Sequence, residues 1–224
     1  MEIKKITQEE KELEREERDR QYKKEVEEER QEKLNDMKEN PVKYMAMAGI
    51  KKMFLTATLK EIKLPPKKVK IAKQFLENKD GLFLTGKVGT GKTYLACAIG
   101  RELIMEGNKI LFKTIPSLFQ DIRATFGKTN KEDESHIINK YSCIPYLILD
   151  DLGAEKMSDF SLDRLYLIID GRYADELPTI ITSNLSLKDI REKIHDRISS
   201  RIAGSCRTIQ MPEVDLRLTN RRNT

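Results

Sequence analysis

Apolar residues in this chain gather into short unbroken runs separated by longer stretches in which they recur every three or four positions. The runs within 82–84 (LFL), 109–113 (KILFK), 145–151 (PYLILDD), 178–183 (PTIITS) and 207–211 (RTIQM) read as strands. The unbroken apolar character of 145–151 fits a central parallel strand buried on both faces, 178–183 reads as another buried strand, and 207–211 as a last short one. The periodic stretches 65–78, 92–106, 116–126, 160–177 and 186–203 read as helices. Pro65-Pro66 opens the first of these, with Val69, Ala72, Phe75 and Leu76 on one side, and Gly107-Asn108 stops the second. In 116–126, Leu118, Phe119, Ile122 and Phe126 face inward. Residues 127–141 are polar and admit a helix, a mobile loop or both. Strand and helix alternate throughout, so the expected class is α/β with a parallel sheet covered by helices on both faces.

Two segments precede this alternation. Residues 1–40 are almost all charged or Gln, and Ile3, Ile6, Leu13, Tyr22, Val26, Leu34 and Met37 are too sparse for a continuous heptad seam. They predict an exposed helix or partly disordered arm, unable to build a core alone, that is either a solvated appendage or a docking element. Asn40-Pro41 marks a boundary, because proline disfavours helix at the residue before it. Residues 42–60 then bring Met45, Met47, Ile50, Met53, Phe54, Leu55 and Leu59 toward the globular part. The division is therefore an arm, 1–40, and a domain, 41–224.

Charge sharpens that division. The 224 residues carry a net +5, but residues 1–40 hold 11 basic against 15 acidic residues, or −4, leaving 31 against 22, or +9, for the remainder. A basic globular part suits a polyanion such as nucleic acid, and also suits a merely solvated surface. No apolar run approaches the roughly 18 residues of a membrane span, and MEIKKITQEE lacks a signal-peptide core, so a soluble, cytoplasmic protein is expected. Cys97, Cys143 and Cys206 are scattered without C-x-x-C spacing, so neither a zinc site nor a disulfide framework is indicated.

The chemistry concentrates where the first strand breaks. Residues 81–93, GLFLTGKVGTGKT, satisfy G-x-x-x-x-G-K-[ST] from Gly86 through Lys87, Val88, Gly89, Thr90, Gly91 and Lys92 to Thr93. Glycines let backbone N–H groups curl around anionic oxygens, and the following helix points its positive end at the same charge. Lys92 would reach β- and γ-phosphates, and Thr93 would hold Mg²⁺. Asp150 and Asp151 end a buried strand, where carboxylates face the crevice at the strand C-termini, so Asp150 is the expected metal partner. Asn184 ends the next strand and projects into the same crevice, though an Asn forming a turn after a strand is common. Arg197 and Arg201 lie four apart on one helix face.

Five segments in this order, GKVGTGKTYLACAIGREL, YLILDDLGAE, LYLIIDGRY, PTIITSNLS and DRISSRIAG, resemble the AAA+ helicase loaders of the DnaC type, a group related to the ATPase helper proteins of insertion-sequence transposons. The resemblance covers roughly residues 48–217. It implies a P-loop NTPase with a five-stranded parallel sheet and ATP/ADP with Mg²⁺ as cofactors. It assigns Lys92 and Thr93 to nucleotide and metal, Asp150 and Asp151 as the acid pair, Asn184 as first sensor, and Arg201 as a finger reaching a neighbouring subunit's γ-phosphate. Arg217, in Asp215-x-Arg217, is a further nucleotide-site candidate, while Arg172 in IIDGRY reads as a structural ion pair. Most of the wider superfamily has Glu where Asp151 stands, implying slow, switch-like hydrolysis. Only 13 residues follow Met211, too few for a C-terminal lid domain. The implied function is an ATPase that loads a replicative helicase, engaging it through the arm, binding single-stranded DNA and self-associating through the ATP site, without a membrane. The alternatives are a transposase helper on duplex DNA, a small-molecule kinase, and a scaffold that binds nucleotide without hydrolysis.

Overall fold

The computed structural model describes residues 8–62, 64–78, 80–126, 133–154, 156–214 and 216. Its centre is a five-stranded, all-parallel sheet of β1 (Gly81–Thr85), β2 (Ile110–Thr114), β3 (Tyr146–Leu152), β4 (Thr179–Ser183) and β5 (Cys206–Gln210), in the order β2-β3-β4-β1-β5. β4 therefore lies between the strand that feeds the glycine-rich loop and the strand that ends in the acid pair. Every residue of β1 and β4 is buried, as expected of strands covered on both faces.

Side-chain alternation sorts the core into two layers. Leu82, Leu84, Tyr146, Ile148 and Ile180 pack with α4 (Lys92–Met105) and α3 (Pro66–Asn78), where Ala72 and Phe75 are buried. Phe83, Leu147, Leu149 and Ile181 point the other way, toward α5 (Ile115–Ala124), α6 (Glu134–Cys143), α7 (Asp159–Ala174), α8 (Leu187–Lys193) and α9 (Asp196–Ser205). The side chain of Leu76 lies outside the described residues.

The arm is a continuous helix, α1 (Gln8–Glu39), whose base joins the domain. Met37 is buried with Met45 of α2 (Pro41–Met47) in the α4 layer, and Asp36 accepts hydrogen bonds from Lys43 Nζ (2.8 Å), Tyr44 Oη (2.5 Å) and Asn40 Nδ2 (2.7 Å). The boundary at Asn40-Pro41 falls between α1 and α2. Residues 1–7 lie outside the described residues.

Local features depart from the sequence expectation or narrow it. The helix expected over 186–203 is two helices: α8 ends at Lys193, and His195 is extended and caps α9, its Nδ1 accepting the N–H of Arg197 at 3.2 Å. The ambiguous polar stretch becomes helical from Glu134, started by Asp133, whose carboxylate accepts the His136 N–H at 2.7 Å. Residues 127–132 lie outside the described residues.

Arg172 is a further departure, because among the described residues it forms a carbonyl cage instead of an ion pair. At 1% exposure its guanidinium donates to the carbonyls of Tyr141, Ser142, Ile144, Pro145 and Pro178 and to Thr179 Oγ1. These acceptors are the end of α6, where helix carbonyls lack intrahelical partners, and the starts of β3 and β4. Burial lowers the guanidinium to about 10, and the charge is held by dipoles at the sheet end opposite the glycine-rich loop. Arg172→Met keeps the bulk and removes every donor, so unfolding free energy should fall by about 3 kcal/mol or more. Arg172→Lys, with three donors on a flexible stem, should lose less. Urea denaturation measures both, and an Arg172→Met variant as stable as wild type would contradict the cage.

Candidate nucleotide site

The strand β1 ends at Thr85, and the chain turns through Gly86, Gly89 and Gly91 at φ of 148°, 82° and 87° before α4 begins. At Gly86 and Gly91 the positive φ coincides with close packing. A Cβ at Gly86 would lie 3.0 Å from Met211 Cβ, and one at Gly91 3.2 Å from Leu216 Cδ1. Thr90 Oγ1 donates to Lys87 O at 2.9 Å and fixes the loop across its mouth, while Val88 stays exposed.

Lys92 is the first residue of α4 and folds back inside the loop, 6% exposed. Its Nζ donates to Gly86 O and Lys87 O at 2.8 Å each and to Asn184 Oδ1 at 2.7 Å. A buried ammonium in a ring of backbone and amide oxygens is a cation positioned for an anion. The glycine cradle and this ammonium fit the phosphates of a nucleotide, which would be held by the loop N–H groups and Lys92.

Asp150 lies on the same layer as Ile148, toward α4, and is 3% exposed. Thr93 Oγ1 donates to its Oδ1 at 2.8 Å, and Thr182 Oγ1 donates to the same oxygen at 2.7 Å. Burial lifts the Asp150 carboxyl above the ordinary carboxylate range; the two hydroxyls pull it down and neighbouring Asp151 adds to the rise. Because Thr93 gives its proton to Asp150, its lone pairs remain for a cation. A hydroxyl and a desolvated carboxylate are the oxygen donors that Mg²⁺ takes beside nucleotide phosphates, so Thr93 and Asp150 fit that ion.

The structure thus brings Gly86–Thr93, Asp150, Asp151 and Asn184 to one end of the sheet. Arg201 lies elsewhere: its Nε donates to Asp170 at 2.5 Å, its guanidinium stacks 4.8 Å from the Tyr173 ring, and hydrogen bonds to Asp170 and Tyr166 hold it above its ordinary pKa. All three partners are on α7, in the layer opposite α4. Arg197 lies over Tyr166, also on α7, at 5.9 Å. Arg217 lies outside the described residues.

The sequence profile of the IstB-like ATP binding protein family matches residues 7–224. The chain belongs to the IstB-like ATP-binding proteins. Among its relatives, the replicative helicase loader DnaC of Buchnera aphidicola from Acyrthosiphon pisum is 28% identical over 166 residues, covering 70% of this chain and 68% of that protein. Its counterpart from Escherichia coli K12 is 27% identical over 135 residues, covering 58% and 55%. The solved structure of DnaI superposes with TM-score 0.62 at 28% identity over 72% of this chain and 94% of that one. A crystal structure of the DnaC helicase loader shares the fold, with TM-score 0.64 at 23% identity over 72% and 100%. The resemblance of the sequence motifs and the P-loop AAA+ fold are therefore both shown.

Thr182 had no sequence signal of its own, and the segment after β5 had only that of Asp215-x-Arg217. Thr182 reads as one more apolar-strand position, yet it touches both acids. After β5 the chain turns back along the loop: Met211 N–H donates to Thr85 O (2.7 Å), Leu216 N–H to Gly89 O (2.9 Å), and Lys87 pairs with Glu213 at 3.2 Å. No helix among the described residues is long and apolar enough to cross a membrane. Asp150→Asn keeps the shape and removes a costly buried charge, so its unfolding midpoint should equal or exceed that of wild type while Mg²⁺-supported ATP turnover falls to that of Lys92→Ala. Retained turnover, followed by phosphate release, would contradict the metal assignment.

Proposed function

We propose that this chain is an ATP-controlled loader of a replicative DNA helicase, working as an oligomeric switch. The carrying observation is the contact of Lys92 with Asn184 at 2.7 Å beside the acid pair, which makes one site of a phosphate-binding cation, a polar sensor and two carboxylates. Bound ATP with Mg²⁺ supplies the leaving group and the cation that neutralises its phosphates. The loop and Lys92 hold the phosphates, Thr93 and Asp150 hold the ion, Asn184 orients water, and Asp151 accepts its proton. Asp151 is a methylene shorter than Glu, which supports slow hydrolysis.

Arg201 completes the site from a neighbouring subunit. Its partners on α7, away from its own loop, support a role at an interface, where ATP binding drives assembly and hydrolysis releases it. Single-stranded DNA lies on the domain carrying the +9 charge, and the helicase docks on the projecting α1, whose residues from Arg15 to Gln31 are exposed. The relatives named as helicase loaders support this choice. The family profile, named for IstB-like proteins, favours a second reading as a transposase helper preferring duplex DNA.

Met37 belongs to the core, so a truncation testing the arm should stop short of it. Full-length protein should retain its cognate helicase in a pull-down with ATP, and a form lacking residues 1–30 should lose it. Equal recovery would refute the docking role. Fluorescence anisotropy at one stated salt concentration should show tighter binding to single than to double strands, and the reverse order would favour the transposase reading.

A further inference from the structure

The ladder between β3 and β4 is out of step at the site. Leu149 pairs with Ile181, but the next pair is Leu152 with Ser183. Two residues on β3, Asp150 and Asp151, therefore face one residue on β4, Thr182, which is the geometry of a β-bulge. A bulge leaves its extra residue without a regular ladder partner and re-aims the side chains on either side of it. Here Asp151 sits in the left-handed region at φ 62°, which Asp enters more readily than most residues.

One hydroxyl serves the whole distortion. Thr182 Oγ1 accepts the Asp151 N–H at 3.0 Å and donates its own proton to Asp150 Oδ1 at 2.7 Å. Thr182 is fully buried, so water cannot take over either bond without opening the sheet. The arrangement fixes the carboxylate of Asp150 in rotation and the backbone of Asp151 in its left-handed turn together. The two acids are thus tied together by one buried side chain. Ser183 points to the other layer, donating to Leu152 O at 2.6 Å, so the two hydroxyl residues of this strand end have separate duties.

We propose that Thr182 is a positioning residue for Mg²⁺-dependent ATP hydrolysis, acting through the bulge to orient Asp150 toward the metal and Asp151 toward the attacking water. This rests on the ATP and Mg²⁺ reading of the site. The hydroxyl carries the effect; the methyl and the β-branch only fill space and suit a strand.

The test compares Thr182→Val, which keeps the shape and loses the hydroxyl, with Thr182→Ser, which keeps the hydroxyl. Binding of a fluorescent ATP analogue is titrated with Mg²⁺ and, separately, in EDTA; phosphate release gives kcat and KM, and thermal melting reports folding. Thr182→Val should need about 10–100-fold more Mg²⁺ to reach half-saturation, as for other supports of metal ligands, with metal-free binding unchanged. Its kcat should fall while KM at saturating Mg²⁺ holds, and Thr182→Ser should restore both. A Thr182→Val variant with the Mg²⁺ dependence and kcat of wild type would overturn the inference, as would a Thr182→Ser variant impaired as much as Thr182→Val. Wild-type protein that binds no ATP at any Mg²⁺ concentration would instead overturn the reading beneath it, and the inference with it.

Discussion

The insertion of β4 between β1 and β3 is the constraint on which the site depends. With those strands adjacent, the glycine-rich loop and the acid pair would meet without an intermediary. With β4 between them, the strand end delivers Thr182 to the acids and Asn184 to Lys92, and the loop, sensor and carboxylates share one crevice. Parallel pairing makes this possible, because all the strand C-termini then open at the same end. The opposite end is closed by the Arg172 cage, which ties β3, β4 and α6 together through their carbonyls. The sheet is thus anchored at one end and carries its polar chemistry at the other.

The strands and the loop were legible because their signals are local. An unbroken apolar run bounded by Pro or Gly defines a buried strand, and a Gly-rich turn ahead of Lys-Thr has few other uses. Asp150 and Asn184 were legible because a polar residue at the end of such a run must face the crevice or be wasted in the core. What stayed hidden depends on register or on long-range contact. The bulge at Asp150-Asp151 arises only when β3 is aligned with β4, and Thr182 looks like any β-branched strand residue until then. The break at Ile194-His195 uses an imidazole as cap, an uncommon choice that helical periodicity cannot detect. Arg172 read as an ion pair because a buried guanidinium usually meets a carboxylate, whereas here carbonyl dipoles do the work. Met37 joins the core through tertiary packing on a helix whose composition is otherwise that of solvent.

On the proposed function, the site divides between the part that would hold phosphate and the part where charge must be stabilised. Lys92, Thr93 and Asp150 are buried or half-buried and hydrogen-bonded, and Lys92, whose three donors go to Gly86 O, Lys87 O and Asn184 Oδ1, would exchange one of them for a phosphate oxygen. Arg201, by contrast, rests on α7 with Asp170 and Tyr173, in the other layer of the fold. The proposed switch would use such a division: nucleotide occupancy would be set within one subunit, and its consequence read at the contact with the next.

Mixing two inactive variants tests that division most directly. On the proposed function, Lys92→Ala would not hold the phosphates and Arg201→Ala would not complete a neighbour's site, so each alone should hydrolyse little ATP. In an equimolar mixture about a quarter of head-to-tail contacts would join an intact Lys92 to an intact Arg201, and turnover should recover to about that fraction of wild type. A mixture no more active than its separate components, or an Arg201→Ala protein that assembles and hydrolyses ATP normally by itself, would contradict a site shared between subunits.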